Sequence, residues 1–112
     1  RKRHLSLDAQ RLVRTAMVFI HENYARPITR SEIAQHINIA EDYLTFCFRQ
    51  ELGVTPIKYL QRYRIHLAKK MLKETALSVT EIAWAVGFSD SSYFSRVFHR
   101  ETGLPPETYR RT

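Results

Sequence analysis

The sequence predicts an all-α protein of seven helices that form two helix-turn-helix subdomains joined by a long helix. Two observations support this fold class. Only 3 Gly and 4 Pro interrupt the 112 residues, and no window keeps the two-residue alternation of a strand for long. The chain also repeats itself, because residues 28–60 and residues 77–110 both contain a capped short helix, a turn and a second helix.

The two copies match residue by residue. The Glu-Ile-Ala of residues 32–34 recurs at residues 81–83, which is an offset of 49, and the later matches lie 50 residues apart. These later pairs join Tyr43, Phe48, Glu51, Gly53, Pro56 and Tyr59 to Tyr93, Phe98, Glu101, Gly103, Pro106 and Tyr109. One residue was therefore added within the second turn.

The first predicted helix, from Leu7 to Tyr24, precedes the first copy. Its apolar residues recur at helical spacing, Ser6 is a candidate N-cap, and Pro27 prevents the helix from continuing. We expect this helix to brace the first copy through Leu12, Val13, Ala16, Phe19 and Ile20.

Each copy then begins with a short helix. The capping-box pattern occurs at residues 29–32 (Thr-Arg-Ser-Glu) and again at residues 78–81 (Ser-Val-Thr-Glu). In this pattern the hydroxyl of the first residue accepts from the backbone amide of the glutamate, and the glutamate side chain accepts from the backbone amide of the first residue. Asn38 and Gly87 follow at equivalent places, and these residue types best tolerate the left-handed conformation that ends a helix. We expect the turn of each helix-turn-helix there.

The second helix of each copy is the candidate recognition helix. We expect these helices at residues 41–52 and 91–102, ended by Gly53 and Gly103. The inward residues share one helical stripe, namely Leu44, Cys47 and Phe48 in the first helix and Phe94, Val97 and Phe98 in the second. The outward residues are Glu41, Asp42, Thr45 and Phe46 in the first, and Ser91, Ser92, Ser95 and Arg96 in the second.

A long helix links the copies. Thr55 is its candidate cap, Pro56 suits its first position, and helical spacing continues to about Glu74. Such a rod is roughly 28 Å long, close to the ~34 Å between neighbouring major grooves on one face of DNA. We therefore divide the chain into residues 1–55, 56–75 and 76–112. The basic residues of this helix either lie near phosphates or form a solvated face: Lys58, Arg62, Arg64, Lys69, Lys70 and Lys73.

The charge balance favours a nucleic-acid partner. Lys and Arg number 18 against 11 acidic residues, which gives a net charge of +7 and a pI near 9.9. No stretch is long and apolar enough to span a membrane, and the N-terminus lacks the apolar block of a signal peptide. We expect a cytoplasmic protein without a membrane partner. The absent initiator methionine suggests a fragment of a longer protein, although processing also removes it.

No pattern of catalytic or metal-binding residues is visible in the sequence. The five histidines lack the HExxH and Cys-x-x-Cys spacings of zinc sites, and no nucleophile-base set or phosphate-binding glycine loop occurs. The single cysteine, Cys47, cannot form an internal disulfide, and its inward position suits a small apolar role better than redox or methyl-accepting chemistry. We expect no enzyme activity, no cofactor and no metal.

The run from Gly87 to Arg111, GFSDSSYFSRVFHRETGLPPETYRR, resembles the DNA-binding domain of the AraC/XylS family of bacterial transcription regulators. The resemblance covers residues 27–111 and includes the Gly-Phe, Tyr-Phe and Gly-x-x-Pro elements. It implies a homeodomain-like, seven-helix fold that binds double-stranded DNA as a monomer in two adjacent major grooves and regulates transcription. RNA polymerase is the expected protein partner. An effector ligand would act only through an N-terminal domain absent from this chain, and the bound protein would be nucleoid-associated.

The family's base-contacting positions carry over to Asp42, Thr45 and Phe46 in the first recognition helix and to Ser91, Ser92, Ser95 and Arg96 in the second. Arg96 suits the two-pronged contact to guanine O6 and N7, and the serines suit bases or phosphates. In the first helix, Glu41 and Asp42 either accept from a cytosine N4 or favour the helix start electrostatically. Phe46 either touches a thymine methyl or packs against the linking helix or a partner.

Contacts to phosphate are expected at Arg49, His99, Arg100 and Arg110, with plain exposure as the alternative for each. For Arg110, the alternative is that it belongs to a frayed chain end. Trp84 and Tyr93 could stack on bases, but aromatics at such positions more often lie in a core or subdomain interface. We expect that structural role for both.

Two other functions stay open. The acidic pair Glu41 and Asp42 motivates the first, in which the first helix-turn-helix is a protein-contact surface and the second alone binds DNA. In the other, the chain is the regulatory piece of a DNA-repair methyltransferase, since similar domains occur in such fusions.

Overall fold

The computed structural model describes residues 6–112, which contain seven α-helices and no β-strand. The helices are α1 Leu7–Asn23, α2 Arg30–Ile37, α3 Glu41–Leu52, α4 Pro56–Glu74, α5 Val79–Ala85, α6 Ser91–Thr102 and α7 Pro106–Arg110. The predicted all-α class is confirmed, and α3, α4 and α6 have the predicted bounds. Helix α1 ends one residue before its predicted end. No helix among the described residues is long and apolar enough to cross a membrane.

The described chain divides into two compact units. The first comprises the residues up to Asn23 together with Ile28–Leu60, and the second comprises Tyr24–Pro27 and Gln61–Thr112. Helices α1, α2 and α3 therefore belong to the first unit, and α5, α6 and α7 to the second, while α4 contributes residues to both. The three-part division at residues 55 and 75 stays a prediction.

In the first unit, α1 packs against α2 and α3. The helical stripe on α1 that was expected to face a core is largely buried there, with Val13, Ala16, Phe19 and Ile20 at most 8% exposed. From α3, Leu44, Cys47 and Phe48 are all fully buried, as their spacing predicts. Cys47 is thus a core residue with a free thiol, which matches its expected packing role.

The second unit has a core of the same design. The buried stripe of α6, Phe94, Val97 and Phe98, packs with buried residues of α4 and α5. Phe98 meets the ring of Tyr109 edge-on at 5.5 Å between centroids, and in the first unit Phe48 meets Tyr59 in the same way at 6.0 Å. Edge-to-face packing is a favoured geometry for aromatic pairs. The repeated aromatics therefore make the same contact in each unit.

Both short helices have the predicted hydroxyl cap, and α5 has the complete capping box. The hydroxyl of Thr29 accepts from the amide of Glu32 at 3.0 Å, and that of Ser78 accepts from the amide of Glu81 at 3.0 Å. Glu81 completes the box by accepting from the Ser78 amide at 2.8 Å, and these bonds lower the pKa of the Glu81 carboxyl. The turn that follows α2 contains Asn38 in the left-handed region, with φ of 65°.

Gly87, which follows α5, lies against a buried arginine. Arg64 of α4 is only 9% exposed and donates from Nε to the carbonyl of Tyr24 at 2.8 Å and from Nη2 to that of Arg26 at 2.9 Å. Burial lowers the pKa of the Arg64 guanidinium from its ordinary value. The expectation that Arg64 lies near phosphates or on a solvated face is therefore wrong. This side chain instead holds the Tyr24–Pro27 segment within the second unit.

We expect the first unit to lose stability as the pH falls. His21 on α1 lies 2.6 Å from the hydroxyl of Tyr59, and burial lowers the pKa of His21. Because the unfolded chain takes up this proton below about pH 6.5 and the folded chain resists it, stability is full above that pH and declines below it. Urea unfolding midpoints at about pH 7.5 and about pH 5.5 measure the decline. His21→Gln should reduce the difference between them, whereas Val18→Ala, at an exposed and non-ionisable residue of the same helix, should not; equal changes in both variants would contradict this assignment.

Candidate nucleic-acid interface

The predicted base-contacting residues lie on one outward stripe of each recognition helix. We call Asp42, Thr45, Phe46 and Arg49 the α3 stripe, and Ser92, Ser95, Arg96 and His99 the α6 stripe. Each set is spaced i, i+3, i+4, i+7, which places its members on one face of the helix. Thr45 and Ser95 are half-buried and the others are exposed, while the opposite face of each helix is buried. Ser91, also half-buried, adjoins the start of the α6 stripe.

The acidic start of α3 is paired with an arginine from α2. Arg30 donates from Nε to Glu41 Oε1 at 3.2 Å, and its Nη1 lies 3.5 Å from Asp42 Oδ1. The same Nη1 donates to the hydroxyl of Thr45 at 3.0 Å. One guanidinium therefore contacts three candidate recognition side chains and offsets one of two negative charges that would otherwise face a polyanion.

The rest of the α3 stripe is open to solvent. Phe46 is 42% exposed, and its ring stacks on Tyr43, one turn earlier, with centroids 6.5 Å apart. An exposed pair of aromatic rings is compatible with contact to a thymine methyl or to another molecule. Arg49 lies one turn beyond Thr45 and Phe46 and is exposed. Contact of Phe46 with a base and of Arg49 with phosphate stays a prediction.

Helix α6 begins at a side-chain cap that sequence reasoning missed. The carboxylate of Asp90 accepts from the amides of Ser92 and Tyr93, at 2.8 and 3.2 Å. The hydroxyls of the serines on α6 have no hydrogen-bond partner among residues 6–112. The cap uses the amides at the helix start and leaves those hydroxyls available to a ligand.

Arg96 is held by an aromatic ring and has no ionic partner within the described chain. Its guanidinium lies over the ring of Tyr93, 5.7 Å from the centroid. Tyr93 in turn accepts from Gln61 Nε2 at 3.0 Å and contacts Phe88, at 6.0 Å between centroids. Tyr93 is 41% exposed, so it does not lie in a core as expected, but these contacts hold its ring against Arg96 and leave the hydrogen-bonding edges of Arg96 free for a base.

The predicted phosphate contacts of α6 and α7 have different surroundings. His99 is exposed, whereas Arg100 lies 3.4 Å from Gln61 Oε1 and 3.8 Å from Glu101 Oε2. Arg110 donates to the carbonyls of Leu72, at 3.0 Å, and of Leu77, and thereby caps the end of α4. Contact of Arg110 with phosphate stays a prediction, and its guanidinium already binds main-chain carbonyls.

The structure corrects the sequence-based assignment of Trp84 and adds two residues, Arg30 and Asp90, that had none. Trp84 is 60% exposed, so it does not lie in a core as expected. Arg30 was not singled out at all, because its partners lie beyond a turn, 11 and 15 residues along the chain. The cap at Asp90, by contrast, could have been predicted from the sequence, since an aspartate directly before a helix is a favoured N-cap.

Comparison with known proteins places these features in a family. Residues 33–112 match the family described as a helix-turn-helix domain. The transcriptional activator RhaR of Cronobacter sakazakii is 43% identical over 84 residues, which cover 75% of this chain and 30% of RhaR. The chain spans about a third of the length of the curated relatives that it matches.

Solved structures agree with the sequence relatives. The C-terminal domain of AraT, a response regulator from Geobacillus stearothermophilus, matches with a TM-score of 0.87 and 33% identity, over 97% of this chain and 88% of that one. A transcriptional regulator from Chromobacterium violaceum, of the group with AraC-type DNA-binding domains, matches with a TM-score of 0.87 and 26% identity, over 95% of both chains. These similarities favour a transcription regulator over the protein-contact and methyltransferase alternatives.

Proposed function

Because this chain belongs to the AraC-type family of helix-turn-helix DNA-binding domains of transcription regulators, we propose that α3 and α6 each enter a major groove of double-stranded DNA. The two grooves are adjacent, and the bound site lacks internal symmetry. The observation that carries this proposal is the pair of equivalent outward stripes, each opposite a buried core face. Helix-turn-helix proteins present their second helix to base edges in this manner.

The second helix-turn-helix supplies most of the base discrimination in this proposal. Arg96 has five donors and no partner among residues 6–112 other than the Tyr93 ring, so its planar edge can donate to both O6 and N7 of guanine. The unpaired serine hydroxyls beside it suit shorter contacts to bases or phosphates. Their small size also lets the helix approach the groove closely.

The first helix-turn-helix also binds DNA in this proposal. Arg30 lies against both carboxylates of the acidic pair that motivated a protein-contact role, and its positive charge offsets one of the two negative charges, which reduces the repulsion from phosphate. Thr45 and Phe46 then contact bases, and Arg49 contacts phosphate. RNA polymerase is the proposed protein partner, and effector control requires a further domain. No catalytic step, metal or cofactor enters the proposal.

The decisive test is selection of bound duplexes from a random library, followed by footprinting. We expect one enriched sequence with two conserved blocks about one helical turn apart, and protection of both. Replacing Thr45 and Phe46 together with Ala should remove the conservation of one block only. Enrichment of a single block, with a footprint unchanged by this double substitution, would leave the second helix-turn-helix as the sole DNA-binding unit.

We expect binding to weaken steeply with salt. If several basic side chains contact phosphates, the logarithm of affinity falls linearly with that of salt concentration, with a slope of about −0.9 per contact. Titrations from about 50 to about 200 mM salt measure this slope. Arg49→Ala should reduce it by about 1 on every sequence. An unchanged slope would show that Arg49 contacts no phosphate.

A further inference from the structure

The contact between Arg30 and Thr45 determines how the Thr45 hydroxyl can bond. Three threonine hydroxyls elsewhere in the chain donate to the carbonyl four residues earlier: Thr15 to Arg11 at 3.0 Å, Thr75 to Met71 at 2.7 Å, and Thr102 to Phe98 at 2.8 Å. The Thr45 hydroxyl instead accepts from Arg30, and no group within residues 6–112 accepts its proton. A hydroxyl has one proton to give, so that of Thr45 stays available to a ligand.

Arg30 is itself fixed in place by charge. Its Nε and Nη1 reach Glu41 and Asp42 at 3.2 and 3.5 Å, while Nη1 also reaches Thr45. The planar guanidinium can satisfy these acceptors together, which an ammonium cannot do with the same geometry. The second unit has no equivalent, because Val79 occupies the matching position there. This arrangement is therefore specific to the first helix-turn-helix.

We propose that Arg30 is a specificity-determining residue that makes Thr45 a hydrogen-bond donor toward the major groove. This inference rests on the proposed function, in which α3 lies in that groove. A base that offers an acceptor, as guanine O6 or N7, adenine N7 and thymine O4 do, then takes the free proton of Thr45, whereas a donor base would share the lone pairs of the hydroxyl with Arg30 and leave that proton unused. Cytosine, which presents its N4 amino group there, is disfavoured at this position. Arg30 contacts no base in this arrangement and acts through Thr45.

Arg30 has a second, sequence-independent effect that must be separated from the first. Its positive charge offsets one of the two negative charges of Glu41 and Asp42, so a neutral residue at this position should weaken binding to every sequence. Arg30→Lys retains the charge but loses the fork that reaches Thr45. The Lys variant therefore isolates the effect on base preference, and Arg30→Met shows both effects together.

The experiment is a duplex selection repeated with Arg30→Lys, Thr45→Val and the double variant, followed by affinity measurements on the selected site and its single-base changes. We expect both single variants to relax the same base pair, with a loss of discrimination of about 3- to 10-fold. The double variant should lose no more than either single variant, because both remove one bond. Binding of Arg30→Lys to random DNA should stay within about twofold of the original.

Ser95→Ala is the matched control, since Ser95 occupies the position of Thr45 in the second copy. It should relax a different base pair, and its effect should add to that of Arg30→Lys. Thermal unfolding of each variant shows whether the fold is retained. Relaxation of different base pairs by Arg30→Lys and Thr45→Val, additive losses, or equal weakening on all sequences would overturn the role of Arg30. Failure of the original chain to select any sequence would instead overturn the proposed function, and this inference with it.

Discussion

Gly87→Ala is expected to destabilise the second unit by about 2–5 kcal/mol, which is a large part of the stability of a small domain. Two separate costs add at this position. The backbone has φ of 104°, which side chains with a β-carbon rarely adopt. A β-carbon would also lie 2.3 Å from the carbonyl oxygen of Tyr24 and 2.7 Å from Arg64 Nε. To relieve the clash, Tyr24 or Arg64 must move, which weakens the hydrogen bond between them. Arg64 is buried and Tyr24 is half-buried, so the loss of this bond is costly.

Two other glycines provide matched controls for the backbone cost alone. Gly53 and Gly103 have φ of 76° and 85°, but nothing lies within 4 Å of a β-carbon built on either. Alanine there should cost only about 1 kcal/mol. Urea denaturation of the three variants, with Gly103 and Gly87 in the same unit, measures the difference. Equal losses at Gly87 and Gly103 would show that the close approach to Tyr24 and Arg64 carries no energetic weight.

Most of the fold could be predicted because its signals are local. Pro56 and Gly53 mark helix ends through their own backbone preferences, and the stripe from Leu44 to Phe48 follows from the period of a helix. Arg64 could not be placed in this way. Its acceptors are main-chain carbonyls about forty residues earlier, and a carbonyl is common to every residue type.

The candidate interface was likewise predictable only in the part that local signals determine. The outward stripes follow from helical periodicity, so their membership was predictable from spacing alone. The contacts of Arg30 depend on how α2 and α3 pack together, which no local rule specifies. Trp84 was misplaced for a related reason. The core covers the face of α5 that carries Ile82 and Ala83, and in so short a helix Trp84 falls outside that face.

Arg96→Ala is expected to weaken binding to the selected site by about 1–3 kcal/mol, or about 5- to 150-fold, and to relax one base preference. The physical reason is that its guanidinium is oriented by Tyr93, 5.7 Å away, without being paired to an acid among the described residues. A bound guanine would therefore gain two charge-assisted hydrogen bonds without breaking an ion pair first. Dissociation constants on the selected site, on its guanine substitutions and on random DNA measure the effect.

Arg96→Lys and Arg49→Ala separate base recognition from charge. Lysine retains the positive charge but cannot present two parallel donors, so Arg96→Lys should lose most of the base preference while binding random DNA nearly as well as the original. Arg49→Ala should weaken the selected site and random DNA by similar factors, because a phosphate contact carries no sequence information. If Arg96→Ala instead lost affinity equally on both DNAs, as Arg49→Ala should, Arg96 would be a phosphate contact. The base discrimination of α6 would then have to come from its serines.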